Sequence, residues 1–291
     1  MSTKDTNVVQ EQLVESVREV LEKGHFLAEL PASPVFVSIT GPHSFGYARS
    51  LTPGAERADA ESSVDLASTH ALSARAFAGL ERPEETFELS EPAADRSTVS
   101  DRGLVLDRSR LSLRSDDVRR SFERMIVGNG DVFEGIFSPC VVIESEHFDE
   151  YRNLARGALT RRIYHGYRKK LRRLESDVFS SHPAKPESVL ELFRSAMTAI
   201  RVLRSGRFES DLRTLNAEDH GLLEVQEIHD RTLEGETNFD EALLLPLRSD
   251  ARRLTLELDA AFEASLLPEE AQNTEAIDDF ILRLRGFDET S

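Results

Sequence analysis

The residues best suited to phosphate and metal chemistry lie between Val35 and Leu66. An apolar run, PVFVSIT, leads into a glycine-bounded turn at 41–46, and a second short strand, SSVDLAS, carries Asp65. Backbone N–H groups in such a turn can bind a phosphate, and carboxylate oxygens beside it can bind a hard cation. Farther along, the apolar run GLVL ends in another carboxylate, Asp107. The pattern therefore predicts a site that holds a phosphate next to a metal ion.

This stretch resembles the nucleotidyltransferase motif of the DNA polymerase β superfamily, in particular its RNA-repair-associated branch. In that motif a strand leads to a Gly-Ser turn and then to Asp-x-Asp on the next strand. Gly41 and Gly46 match the turn. Pro42 stands where the family has its serine, and Ser63 stands where it has the first aspartate. The motif is therefore degenerate, and of the aspartate pair only Asp65 is in place.

A second segment, GNGDVFEGIFSPCVVI, carries the most specific part of the resemblance. It is similar to the helix-turn-strand segment that follows the third acidic strand in the same branch. There an Asn-Gly, a Glu and a Phe-Ser-Pro occur in this order. The matching residues are Gly128, Asn129, Glu134, Phe137, Ser138 and Pro139. The resemblance extends from about Pro34 to Asn216.

The resemblance implies magnesium-dependent transfer of a nucleoside monophosphate from an NTP to a nucleic-acid or protein hydroxyl. It implies that Asp65 and Asp107 are catalytic metal ligands. The nucleotide-binding residues that it implies are Gly41, His43, Ser44, Gly46 and Ser63. Pro42 would remove one backbone donor from the turn, because proline has no N–H group. An ordinary strand-to-helix turn without a ligand remains an alternative for this segment.

The replacement at Ser63 bears directly on the metal site. Residues two apart on a strand face the same way, so Ser63 and Asp65 share a surface. A serine hydroxyl brings no charge and cannot bridge two ions as a carboxylate does. Glu61 would face the same side, but four residues of strand span roughly 13 Å, whereas paired catalytic metals lie ~4 Å apart. Rescue by Glu61 would need a bulge or a bend.

The amino-acid composition of the chain limits the classes of partner that it can bind. A formal net charge of −17 argues against a generic nucleic-acid coat, because phosphate backbones are bound through clustered positive charge. No apolar run approaches the ~20 residues of a membrane span, and MSTKDTNVVQ contains no apolar signal core. We therefore expect a soluble cytoplasmic protein without a membrane partner. Cys140, the only cysteine, lies in an apolar run and is expected to be a small buried side chain.

A basic run between residues 161 and 173 contrasts with this acidic background. Its cations and the neighbouring Tyr164 and Tyr167 could contact RNA through phosphates and stacked bases. The candidate nucleic-acid contacts are Arg161, Arg162, Arg168, Lys169 and Lys170. The alternative is a solvated helix face that pairs with the acidic helices around it.

Hydrophobic periodicity predicts an α+β fold. The resemblance implies that the sheet is a nucleotidyltransferase-like mixed sheet with flanking helices at 1–145, followed by an α-helical domain at 146–291. The segment 35–40 is expected to be the central strand, 90–102 a surface loop and 103–107 a strand. A helix is expected from Asp116 to Val127, with Ser115 as its N-cap. Further strands are expected at 63–69 and 84–89, and further helices at 8–23, 71–80, 187–205, 221–233, 236–266 and 273–285.

Three functions are compatible with these features. The first is a nucleotidyltransferase that is impaired by its degenerate motif. The second is a catalytically inactive relative that regulates or dimerises with an intact nucleotidyltransferase paralogue or with a second copy of itself. The third is an interaction protein whose helical half is the functional part. The departures at Pro42 and Ser63 favour the second function over full activity.

Overall fold

The fold combines one mixed β-sheet with a large set of helices. A computed structural model describes residues 3–23, 26–47, 63–92, 110–180, 184–236, 239 and 241–287. In this part of the chain a five-stranded sheet with flanking helices precedes a helical region, which confirms the predicted α+β class. The strands are β1 Pro34–Thr40, β2 Ser63–His70, β3 Thr86–Pro92, β4 Arg110–Asp117 and β5 Val141–Glu144.

The helices occupy most of the second half of the chain. Those up to the last strand are α1 Thr3–Lys23, α2 Ala74–Phe77, α3 Val118–Ile126 and α4 Gly130–Ile136. Those after it are α5 Phe148–Gly157, α6 Ile163–Ser180, α7 Pro186–Ser205, α8 Leu212–Leu215, α9 Leu223–Leu233, α10 Glu241–Ala264 and α11 Thr274–Leu284. Among the described helices, none has the length and apolarity that crossing a membrane requires.

The strand order is β3-β4-β2-β1-β5, with β2 and β4 parallel and the other pairs antiparallel. The centre of the sheet is therefore β2, and the prediction that 35–40 is the central strand is wrong. β1 is buried along five consecutive residues, as its apolar run predicts. Burial on both faces does not distinguish the central strand from the strand beside it, because helices cover both faces of the sheet.

The two faces of the sheet have different partners. Val64 and Leu66 of β2 point towards α1, where they pack with Leu13 and Val17 in one hydrophobic core. This arrangement confirms that α1 covers one face of the sheet. The intervening Asp65 points to the opposite face because side chains alternate along a strand. The polar face of the sheet therefore lies towards the other helices and the candidate site.

The β4–α3 junction differs from the prediction. Residues 110–117, which were not predicted to be a strand, form β4 in parallel register with β2. The helix starts at Val118, and its N-cap is Asp117, which accepts a hydrogen bond from the Arg119 N–H at 3.0 Å. Ser115 is a strand residue, so the prediction that it caps the helix is wrong. The loop predicted at 90–102 begins as strand up to Pro92, and the strand predicted at 103–107 lies outside the described residues.

The helical region follows the sequence signals closely. α5 and α6 are separated at 158–162, and α7 ends at Gly206, whose φ of 67° favours glycine. The helical core is continuous with one side of the sheet, since Phe36 and Tyr47 pack in the same cluster as α7. The domain boundary at 145/146 remains a prediction, although β5 ends at Glu144 and α5 begins at Phe148.

Arg285, at the end of α11, connects the C-terminal helix to the sheet. Its Nη2 donates to Oδ1 of the fully buried Asp117 at 2.7 Å, and its guanidinium lies 4.0 Å from the Phe77 ring centroid. Arg285→Gln is expected to lower the free energy of unfolding by about 2 kcal/mol, the usual worth of a hydrogen bond to a charged group. Chemical denaturation measures this value. Arg162→Gln, which removes only an exposed pair with Glu270, is the control and is expected to cost under about 1 kcal/mol.

Candidate functional site

A cleft of about 560 Å³ opens between the polar face of the sheet and the helices. We call it the sheet-helix cleft. It is lined on the sheet side by Thr40, Gly41, Asp65, Ser112 and Arg114, and on the helix side by Arg124, Asp131, Glu134, Lys170, Glu187 and Glu191, among others. Its volume lies within the range of small-molecule sites. The cleft contains the glycine turn and the carboxylate that the sequence singled out.

The register of three strands fixes what surrounds Asp65. Thr40 of β1 lies opposite Asp65, and Ser112 of β4 lies opposite it on the other side. The Ser63 hydroxyl donates a hydrogen bond to Asp65 Oδ1 at 3.1 Å. Asp65 is therefore flanked by a serine along its own strand and by a serine on the adjacent strand. Asp107 and Glu61 lie outside the described residues, so their predicted roles stay predictions.

The glycine turn is held together by its own backbone. The N–H groups of Ser44 and Phe45 donate to the Gly41 carbonyl at 3.0 and 3.1 Å, and the Tyr47 N–H donates to the Pro42 carbonyl at 3.2 Å. Gly41 has a φ of 70°, and a Cβ there would lie 3.0 Å from Asp65 Oδ2. The glycine therefore lets the turn approach the carboxylate closely. Two backbone donors of this turn, and that of Tyr47 directly after it, are already used in these hydrogen bonds.

The other predicted residues of the turn are buried or make contacts within the protein. Ser44 is fully buried, and its hydroxyl donates to the Gly41 carbonyl at 3.5 Å. Gly46 packs against Asp211, and its carbonyl accepts a hydrogen bond from His229 Nε2 at 2.8 Å. Burial lowers the pKa of His43, and this effect outweighs those of Asp65 and of a hydrogen bond to the Ser63 backbone. His43 is therefore neutral at neutral pH beside Asp65.

One wall of the cleft is a buried ion cluster formed by Glu134, Lys170, Glu191 and Arg194. Arg194 is completely buried, and its Nη2 lies 2.9 Å from Glu134 Oε1 and 2.7 Å from Glu191 Oε1. Lys170 Nζ lies 2.9 Å from Glu191 Oε1. Burial alone would raise the pKa of Glu191, but the two cations outweigh burial and hold that pKa well below its usual range. Two carboxylates and two cations balance within the buried ion cluster.

The cluster joins elements that are distant in sequence. Tyr167 of α6 donates its hydroxyl to Glu134 at 2.8 Å, and Tyr47, after the glycine turn, donates to Glu191 at 2.5 Å. The Arg194 guanidinium also lies 3.8 Å from the centroid of the Phe45 ring. The glycine turn, α4, α6 and α7 therefore meet at this wall.

The segment with the most specific sequence signal has mainly a positioning role. Asn129 caps α4 by accepting a hydrogen bond from the Asp131 N–H at 3.0 Å, and the Ser138 hydroxyl donates to the Ile39 carbonyl of β1 at 2.6 Å. A Cβ at Gly135 would lie 2.7 Å from that of Ala67, so α4 packs directly on β2. Of the residues that carry the family match, Glu134 lines the cleft, as do the neighbouring Asp131 and Val132. These contacts place Glu134 opposite the strand that carries Asp65.

Comparison with known protein families agrees with this architecture. The family model described as RlaP, the RNA repair pathway DNA polymerase beta family, matches residues 35–283. The chain belongs to this family. A search of curated proteins finds no match. The RlaP match extends well past Asn216, where the sequence resemblance was expected to fade, so α9, α10 and most of α11 belong to the family fold.

The RlaP family implies a nucleotidyltransferase-like protein, and its superfamily generally uses divalent metal ions. The described residues of this chain do not fit such an ion. No group of three or more His, Cys, Asp or Glu side chains among them could hold a metal. At the strand edge where the ligands would lie, Asp65 has Ser63 and Ser112 as neighbours, which bring no charge.

Two arginines that the sequence analysis missed line the cleft beside these serines. Arg114 lies two residues after Ser112 on the same face of β4, and its guanidinium contacts the exposed Glu88 at 2.8 Å. Arg124 of α3 pairs with the buried Asp116. Arg114 also lies 3.6 Å from Asp116 Oδ1, and Asp116 is paired with Arg124 as well. The exposed Arg114–Glu88 pair contributes only about 0–1 kcal/mol, so Arg114 can exchange Glu88 for an anionic ligand at little cost. Alternation along residues 110–114 was the signal that could have revealed Arg114.

Most of the predicted nucleic-acid contacts are engaged within this RlaP-family protein. Salt bridges link Arg161 to Glu269, Arg162 to Glu270, Arg168 to Asp259 and Lys170 to Glu191. Tyr164 stacks on Phe262, and Tyr167 is buried. These ion pairs favour the alternative interpretation of the basic run, in which it is a solvated helix face that pairs with acidic helices. Lys169 is exposed, and its role as a nucleic-acid contact stays a prediction.

Proposed function

We propose that this protein binds a nucleoside triphosphate in the sheet-helix cleft and is impaired in transferring the nucleoside monophosphate. The observation that carries the proposal is the register of β2 and β4, which sets Asp65 between Ser63 and Ser112 with Arg114 two residues farther along. A cleft of small-molecule size beside the glycine turn supports nucleotide binding. Among the described residues, Asp65 has no second or third carboxylate grouped with it that could hold a magnesium ion, which supports impaired transfer.

Arg114 is the side chain best placed to compensate. It lines the cleft, carries a permanent positive charge and has a planar guanidinium that matches phosphate oxygens. Lys170 also lines the cleft, but it is engaged by Glu191 and Asp131. We therefore propose that Arg114 contacts the triphosphate, while Thr40 and Gly41 form the floor beside Asp65.

Calorimetric titration of each NTP, in magnesium and in EDTA, tests this function. We expect affinities within about threefold of each other in the two conditions, because a single carboxylate recruits magnesium poorly. Arg114→Gln is expected to weaken binding about tenfold, the loss of one charge-assisted contact. Arg120→Gln, which removes an exposed arginine paired with Glu123 on α3, is the matched control.

A transfer assay with NTP labelled on the α-phosphate provides the second readout. We expect turnover far below 1 s⁻¹, the lower end of ordinary enzymatic rates. Turnover at or above that rate would refute impairment and direct attention to Asp107 or Glu61. Failure of the chain to bind any NTP would overturn the proposal as a whole.

The same observation also supports the second candidate function, an inactive relative that regulates an intact nucleotidyltransferase or pairs with a second copy of itself. Here the nucleotide is a bound ligand and is not consumed. Mixing the protein with an intact family member and measuring the partner's turnover distinguishes the two functions. A change that follows NTP occupancy of this chain, and that Arg114→Gln reduces, would support the regulatory function.

A further inference from the structure

A second depression, the side groove, opens beside the sheet-helix cleft and has a volume of about 410 Å³. Lys169 and Arg173 of α6 line it, and it shares Asp131 and Lys170 with the cleft. The two spaces therefore adjoin at these two side chains. A ligand bound along the side groove would have one end beside the cleft.

The side groove is locally basic in an acidic protein. Lys169 and Arg173 lie four residues apart on α6, so they project from the same side of the helix. Both are exposed, and neither forms a salt bridge with any residue in the described part of the chain. Asp131, the carboxylate of the groove, pairs with Lys170, whose Nζ lies 3.0 Å from its Oδ1. Two cations without carboxylate partners therefore set the charge of the groove.

Three glycines, Gly128, Gly130 and Gly166, line the side groove where the α3–α4 turn meets α6. A Cβ at Gly166 would lie 2.5 Å from the Gly128 carbonyl oxygen, and a Cβ at Gly130 would lie 2.6 Å from the Tyr167 ring. The glycines therefore allow the turn to pack directly on α6. Val127, with 66% of its surface exposed, adds an apolar contact at the edge.

We propose that the side groove binds the phosphodiester backbone of a single-stranded nucleic acid whose end reaches the sheet-helix cleft. Lys169 and Arg173 contact successive phosphates, since a positively charged groove that follows the backbone is the usual way to bind such strands. The exposed Val127 side chain suits a sugar or base between the phosphates. Because the proposal concerns binding alone, it does not depend on the transfer activity or on NTP.

Fluorescence anisotropy with a short labelled oligouridylate tests the proposal on the full chain, in EDTA and without NTP. Lys169→Ala/Arg173→Ala is expected to weaken binding about tenfold at low salt. The salt dependence should become shallower by about 0.7 for each lost phosphate contact. The matched control is Arg172→Ala/Arg252→Ala, which removes the same charge from exposed positions outside the groove. The control is expected to stay within about twofold of wild type.

The outcomes separate the alternatives. An equal loss of oligonucleotide affinity in both double variants would overturn the proposal, because binding would then depend on net charge alone. Absence of binding by the wild-type chain would also overturn it. Effective competition by polyglutamate at matched charge would also overturn it, in favour of an acidic peptide. Repeating the titration with a labelled DNA oligonucleotide of the same length shows whether the groove distinguishes RNA from DNA. Similar losses for RNA and DNA indicate recognition of phosphate, and a loss confined to RNA adds a contact with the 2′-hydroxyl.

Discussion

Replacing Ser63 and Ser112 together with aspartate is expected to make nucleotide binding strongly magnesium-dependent. Adjacent strands lie about 4.8 Å apart, and Ser112 is directly opposite Asp65, so an aspartate there would bring a second carboxylate within reach of one ion. An aspartate at Ser63 would add a third on the same face of β2. Ser63 is exposed and Ser112 is partly exposed, so both charges can be solvated and the fold should be preserved.

The double variant is expected to change NTP affinity in opposite directions with magnesium and in EDTA. With magnesium, the double variant should bind NTP at least about tenfold more tightly than wild type, because affinity for hard cations increases with ligand charge. In EDTA it should bind more weakly than wild type, since three neighbouring carboxylates repel a triphosphate. Calorimetry measures both affinities. Ser249→Asp, which adds one charge at an exposed position on α10, is the control and should change neither.

The single variants test which residue occupies the third ligand position. If Ser112 stands there, Ser63→Asp and Ser112→Asp should each have a partial effect, and the double variant should exceed either. If Asp107 is the third ligand, Ser63→Asp alone should produce nearly the full gain, and adding Asp107→Asn should abolish it. An unchanged magnesium response in every variant would contradict the placement of a metal site at this strand edge.

The sequence predicted the elements of this site better than their register. The apolar run of β1, the glycine turn and the alternation around Asp65 are local patterns, and the structure contains each of them. That Ser112 lies opposite Asp65 depends on the parallel pairing of β2 and β4, which brings together residues 47 apart in sequence. No local periodicity encodes such a pairing. The sequence alone therefore could not predict that Ser112 is the second serine beside Asp65.

The charged residues show the same limit. The family segment identified Glu134, but its partner Arg194 lies on α7, 60 residues away. In the sequence, Arg194 is one of three arginines on an amphipathic helix, and a fully buried arginine is rare enough that exposure is the natural expectation. Conversely, Arg161, Arg162 and Arg168 formed an apparent nucleic-acid patch because the carboxylates that pair with them lie beyond residue 258.

Loss of Arg194 is expected to be the most destabilising change to the walls of the cleft. Arg194→Met would leave Glu134 and Glu191 buried with Lys170 as the remaining cation of the buried ion cluster. Removing one partner from a buried ion pair typically costs about 3–5 kcal/mol, because an uncompensated charge stays in the interior. Urea denaturation should show this decrease with an unchanged m-value. Arg204→Met, which breaks the more exposed pair with Glu257, should cost under about 1 kcal/mol.

The pH dependence distinguishes lost charge compensation from lost packing. In the wild type the cations hold the pKa of Glu191 well below its usual value despite burial. This contribution to stability is therefore present above the unfolded pKa of ~4.3 and is lost as the pH falls through the folded pKa. In Arg194→Met, Glu191 loses its main cationic partner and burial favours its protonated form, so the deficit relative to wild type should shrink between about pH 7 and pH 4. Adding Glu134→Gln and Glu191→Gln should recover much of the stability at neutral pH. A deficit that stays constant with pH, and that these substitutions fail to reduce, would show that Arg194 contributes mainly through its packing on Phe45.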